Sequence, residues 1–147
     1  MLISFFLIIT QNCKTALEIT YNSNKEKSKY EKLSEEIYLN NVPEEQQKTD
    51  KEVLLIFNGL AFKGKTLFIN KNDSLVFTSL PDQSGCYGIL FKKIGKTEKN
   101  IKLSVSGKKD VIIPIDLAYD YMEIGDSYDK NKWGVVYRKI FPNFSCY

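Results

Sequence analysis

From Glu52 to the C-terminus no apolar run lasts more than about six residues before Gly, Pro, Asn, Asp or Ser breaks it, and that rhythm suits strands and turns rather than long helices. About eight segments fit a strand pattern, at residues 53–57, 66–70, 75–79, 86–91, 101–106, 111–115, 119–125 and 133–139. Turn chemistry separates them at Asn70-Lys71-Asn72-Asp73, Pro81-Asp82, Ser106-Gly107-Lys108-Lys109 and Asp126-Ser127-Tyr128-Asp129-Lys130-Asn131. An aromatic content of 13%, with nine Tyr and nine Phe, points the same way, because these rings pack well on a pleated surface.

Two of the segments also say how they are buried. In Ile101-Lys102-Leu103-Ser104-Val105-Ser106 apolar and polar residues alternate, so one side faces a core and the other faces water. Val53-Leu54-Leu55-Ile56-Phe57 is apolar throughout, the pattern of a central strand covered on both sides. Short strands of these two kinds predict an all-β fold, a single antiparallel β-sandwich of about 7–8 strands over residues 52–147. Nothing recurs at a fixed period, which excludes propellers and solenoids.

The first third reads differently. Residues 17–51 are rich in charge and are expected to form a linker, within which Tyr30, Leu33 and Ile37 fall at i, i+3 and i+7. That spacing predicts one amphipathic helix of about four turns, with Asn24 as its N-cap and Pro43 beyond its end. Residues 1–16 are expected to be a targeting segment: 2–10 form an apolar run of signal-peptide length, well short of the ~20 residues needed to span a bilayer. No Lys or Arg precedes the run, and Lys14-Thr15-Ala16 departs from the small-x-small pattern of a cleavage site. Cys13 directly after the run is a candidate lipidation site. Ordinary cleavage nearby and a buried N-terminal strand are the alternatives, and all three leave Cys13 outside the main domain or nearly so. For an exported domain the other two cysteines, Cys86 and Cys146, are a candidate disulfide that would staple the tail to the body; the alternative is a buried free Cys86 and a frayed Cys146.

Composition narrows the chemistry. The chain has no histidine, which excludes Ser-His-Asp and Cys-His catalysis and His-ligated zinc. A net charge of +3 from 21 basic and 18 acidic residues is too balanced to demand a nucleic-acid partner, and Arg138 is the single arginine where bidentate phosphate recognition favours many. No cofactor is expected, and no pair of carboxylates can be placed on one face, so a carboxylate-based hydrolase ranks third among the functional readings.

Four constellations bear on function. Gly59-Leu60-Ala61-Phe62-Lys63-Gly64-Lys65-Thr66 matches the P-loop pattern, and nucleotide binding at 59–66 is a remote alternative. The motif holds phosphate only where a helix begins at its Lys-Thr, whereas the β-branched and aromatic residues after it predict a strand, with Gly64 in a hairpin turn. Asp126, Asp129 and Asn131 offer oxygens to Ca²⁺ at the wrong spacing for an EF-hand, so a solvated turn is expected. Lys92, Lys93, Lys96, Lys99, Lys102, Lys108 and Lys109 gather around one hairpin, where they either meet an anionic surface or blunt an edge strand. Tyr119, Tyr121, Tyr128, Trp133 and Tyr137 concentrate rings in the C-terminal third; an exposed row would stack on sugars or anchor a protein, while cross-strand pairs over a core would do neither. Asn72-Asp73-Ser74 and Asn143-Phe144-Ser145 are formal glycosylation sequons in a eukaryotic host.

An apolar leader ending near Cys13, a charged tether and a short-stranded domain closing on Phe141-Pro142-Asn143-Phe144 resemble, in layout, the small exported or lipoprotein-like all-β proteins of Bacteroidetes-type bacteria. The resemblance implies a periplasmic, outer-envelope-anchored or extracellular location. The expected function is a non-enzymatic, monomeric module that binds a protein or glycan partner, touching membrane only through a lipid anchor. A secreted inhibitor or immunity-type factor is the alternative.

Overall fold

The computed structural model describes residues 16–76, 88–127 and 132–144. Within them lie nine strands and one α-helix: β1 (Leu17–Asn22), α1 (Lys29–Asn41), β2 (Glu52–Asn58), β3 (Thr66–Ile69), β4 (Asp73–Val76), β5 (Ile89–Gly95), β6 (Asn100–Val105), β7 (Val111–Pro114), β8 (Tyr121–Asp126) and β9 (Trp133–Arg138). The strands form a five-stranded sheet in the order β1-β9-β8-β2-β5 and a four-stranded sheet in the order β4-β3-β6-β7. The all-β, sandwich-like class expected from the sequence, with one helix in its N-terminal third, is therefore what the chain adopts.

Alternation explains how the sheets meet. Ile101, Leu103 and Val105 of β6, with Leu67, Ile69, Val111 and Ile113 beside them, point inward to Val53, Leu55, Phe57, Met122, Ile124, Trp133, Val135 and Tyr137 of the larger sheet. β2 sits between β8 and β5, and its remaining residues Leu54 and Ile56 pack on the opposite face with Tyr38 of α1 and Phe141 of the tail. Both faces of β2 are thus covered, as its unbroken apolar run predicts. Full burial of each such side chain stabilises by about 1.5–3 kcal/mol.

The pairing departs from an all-antiparallel sandwich in two places. β1 runs parallel to β9, and β2 runs parallel to β8, so the larger sheet is mixed. Parallel neighbours are joined by long crossovers, and the turn signals between consecutive strands carry no information about them.

Residues 17–51 are not a linker in the described structure. β1 occupies 17–22 with six consecutive partners on β9, and α1 lies against the outer face of the larger sheet. The N-cap of α1 is Ser28 rather than Asn24: its side chain accepts from the Glu31 amide while the Glu31 carboxylate accepts from the Ser28 amide, a capping box. The buried face also differs. Ser34 and Tyr38 turn inward, whereas Tyr30 and Leu33 are exposed. Tyr38 wins because its ring fits between Phe91 and Phe141, at 4.8 and 5.2 Å, and its hydroxyl accepts from the Lys48 amide. Ser34 Oγ accepts from the Phe144 amide at 3.1 Å and ties the tail to the helix.

The segment 59–66 is a connection between sheets rather than a hairpin, since β2 and β3 belong to different sheets. Gly59–Phe62 makes one 3₁₀ turn, capped by Asn58 Oδ1 accepting from the Leu60 amide, and Gly64 takes φ +67° as its expected turn role requires. Thr66 then opens a strand, so no α-helix begins at Lys65-Thr66 to aim its N-terminal amides at this loop.

Candidate functional site

The expected aromatic row divides between two interiors. Trp133 and Tyr137 are fully buried between the sheets, where Trp133 Nε1 donates to the Lys109 carbonyl and the Tyr137 hydroxyl donates to the Pro114 carbonyl. Tyr121 points the other way and meets Phe141 edge-on at 5.5 Å. Tyr119 is buried at the rim, its ring 5.8 Å from Tyr137 and its hydroxyl hydrogen-bonded to Ser23. These four rings do not form one exposed surface, because residues on successive strands that point to opposite faces of a sheet cannot share a side. Tyr128, Asp129 and Asn131 lie outside the described residues, as do Cys13, Cys86 and Cys146. Burial raises the pKa of both Tyr121 and Tyr137 above the ordinary phenol value.

Five of the seven lysines are matched by carboxylates. Lys92 bridges to Asp73 at 3.1 Å, Lys96 to Asp120 at 2.8 Å and Lys102 to Asp110 at 2.8 Å; Lys93 reaches Glu52 at 3.5 Å, and Lys108 pairs with Asp126. Burial works against the charge of Asp120, but hydrogen bonds and attraction from Lys96 and Lys48 outweigh it and hold its carboxyl below the ordinary value. The two buried polar residues among those described are serines, Ser34 and Ser127.

Among the described residues a different surface is open. α1 and the tail cover part of the larger sheet, whereas the outer face of the four-stranded sheet carries large apolar side chains in solvent: Phe68 at 46% exposure, Val76 at 60% and Ile112 at 64%. The register sets their spacing. Phe68 lies between Ser74 of β4 and Ser104 of β6, Thr66 lies opposite Val76, and Lys102 lies opposite Ile112. The result is an aromatic ring near the middle of a pleated face, flanked by hydroxyls, with two aliphatic side chains further out. The Lys102–Asp110 pair borders it, and hydrogen bonds from Lys102 and then Ser104 hold the Asp110 carboxyl below its ordinary pKa.

Such a face can bind, since it offers apolar area, hydroxyl donors and acceptors, and one fixed charge of each sign. Among the described residues no group of three or more Cys, Asp or Glu side chains is placed to hold a metal ion. Phe68 and Ile112 are not legible as outward-facing from sequence, because Leu67-Phe68-Ile69 and Val111-Ile112-Ile113 are continuous apolar runs, in which periodicity does not say which residue points outward. No family model, curated protein or solved structure matches this chain.

Proposed function

We propose that the chain is a non-enzymatic, exported β-sandwich module that binds a protein partner on the open face of its four-stranded sheet. Export is supported by the apolar run at residues 2–10 and by its length. The observation that carries the binding reading is Phe68, an aromatic side chain half in solvent at the middle of that face rather than in either core. An aromatic anchor near the centre of an apolar patch with a polar rim is a common core of a protein interface. Val76 and Ile112 extend the apolar area on either side, and the Lys102–Asp110 pair supplies a polar rim.

A glycan is the second reading, favoured by the hydroxyls of Ser74 and Ser104 on either side of the ring. Photo-crosslinking tests both. A crosslinking residue at position 68 should trap a discrete protein adduct on the source cells, and one at the exposed helix position Leu39 should not. Loss of glycan-array binding in Phe68→Ala, with no protein adduct, would favour the sugar. A partner retained by the Phe68→Ser/Ile112→Ser variant would remove this face from the mechanism.

A further inference from the structure

Two sheets have four edges, and three of them carry features that discourage further pairing. β5 bears Lys92 and Lys93, with Lys93 Nζ donating to the Glu45 and Gln47 carbonyls beside it. β4 is four residues long and starts with Asp73, which Lys92 bridges. β7 is also four residues long and ends in Pro114, which has no N–H to offer. The fourth edge is β1.

β1 reads Leu17-Glu18-Ile19-Thr20-Tyr21-Asn22, without Lys, Pro or Gly, and its six consecutive partners on β9 leave no room for a bulge. Among the described residues no strand pairs with its other side. Leu17 and Ile19 lean on the core, while Glu18 and Thr20 face solvent on the opposite side. Tyr21 is held in a fixed orientation, its ring stacked on Tyr137 at 5.0 Å and 15°, yet 54% of it is exposed.

We propose that this edge is the interface with a second copy of the same chain, β1 pairing antiparallel with the partner's β1 across a two-fold axis centred on Thr20. A two-fold axis perpendicular to the sheet keeps inward and outward faces matched only where opposed residue numbers sum to an even value. With Thr20 opposite its own copy, Ile19 meets Tyr21 of the partner subunit and Glu18 meets Asn22 of the partner subunit. The first is an aromatic–β-branched pair, the second places no like charges together, and the Thr–Thr pair at the centre is favourable. Each exposed Tyr21 gains an apolar neighbour, and the two five-stranded sheets become one of ten strands.

The test uses two charge variants of the full chain, Thr20→Lys and Thr20→Glu, compared with wild type by sedimentation velocity over a concentration series. Thr20 is exposed, so both variants should keep the wild-type circular dichroism and thermal midpoint. Wild type should sediment as a dimer. Each variant should sediment as a monomer, because a symmetric pair sets like charges directly opposite each other. Mixing the two variants in equal amounts should restore the dimer. A wild type that stays monomeric at its highest soluble concentration would overturn the proposal, and so would dimers that persist in both variants. This result is independent of the binding face: Phe68→Ser/Ile112→Ser should leave the dimer intact while losing the partner.

Discussion

Gly125 and Gly134 face each other across β8 and β9, yet the structure predicts opposite outcomes for the same substitution at the two positions. Neither has positive φ, so an Ala at either meets no backbone penalty and only space decides. A Cβ on Gly125 would lie 3.5 Å from the Cβ of Asn58 and 4.0 Å from that of Ala61, which is ordinary contact. A Cβ on Gly134 would lie 2.9 Å from the Asp126 carbonyl oxygen and 3.0 Å from the Ser127 nitrogen. Those atoms are backbone and cannot rotate away, so the end of the β8–β9 ladder must shift, along with the Ser127 amide bond to the Lys132 carbonyl. Overpacking of this kind costs about 1–3 kcal/mol. Gly125→Ala should instead gain about 0.5–1 kcal/mol, because the unfolded chain loses freedom that the strand never used. The variants should therefore differ by about 1.5–4 kcal/mol, or about 1–2 M in urea midpoint at a slope of about 2 kcal/mol/M. Urea melts followed by Trp133 fluorescence measure this directly. Equal midpoints, or Gly125→Ala as the weaker protein, would refute the steric argument.

Lys71 sits at φ +68° in the β3–β4 turn, so Lys71→Gly should raise stability by about 0.5–1 kcal/mol in the same melts. Phe68→Ser/Ile112→Ser removes exposed side chains and should change stability by less than about 1 kcal/mol, whereas Leu55→Ala, in a fully buried position, should cost about 2–5 kcal/mol. At alkaline pH the raised Tyr121 and Tyr137 phenols stay protonated in the fold but ionise in the unfolded chain. The unfolded state then binds fewer protons, so stability should fall as pH rises above about 10, and a Tyr121→Phe variant should lose part of that dependence. Asp120 has the opposite sign. Its lowered pKa contributes stability above about pH 4 that disappears as pH falls further, and Asp120→Asn should flatten the acid limb of a stability–pH curve.

Local chemistry made most of the elements legible. The strand signals at 53–57, 66–70, 101–106, 111–115 and 133–139 each correspond to an observed strand to within a residue or two at either end, and Pro114 marks an edge. β1 was also readable, since Leu17-Glu18-Ile19-Thr20-Tyr21-Asn22 alternates with period two, but the charged residues after it favoured a linker. The helix cap was present as Ser28-Lys29-Tyr30-Glu31, a capping-box spacing. Its buried face was not readable, because Tyr30-Leu33-Ile37 is the more apolar stripe and only the Phe91–Phe141 pocket across the sheet selects Tyr38. The candidate site was the least visible part. Aromatics draw attention in sequence wherever they cluster, and in this chain Tyr119, Tyr121, Trp133 and Tyr137 pack into cores while Phe68, outside that cluster, faces water.

The order of strands also dictates when the larger sheet can exist. β1 and β2 find parallel partners in β9 and β8, so the first described strands hydrogen-bond to the last described ones. During synthesis the four-stranded sheet, built from β3, β4, β6 and β7, has all its members out before β8 and β9 appear. Contacts this distant in sequence close slowly and late. Until Arg138 is made, β1 has no described neighbour, and the chain cannot lock shut from its N-terminal end. The larger sheet is therefore completed only after β9 has been made.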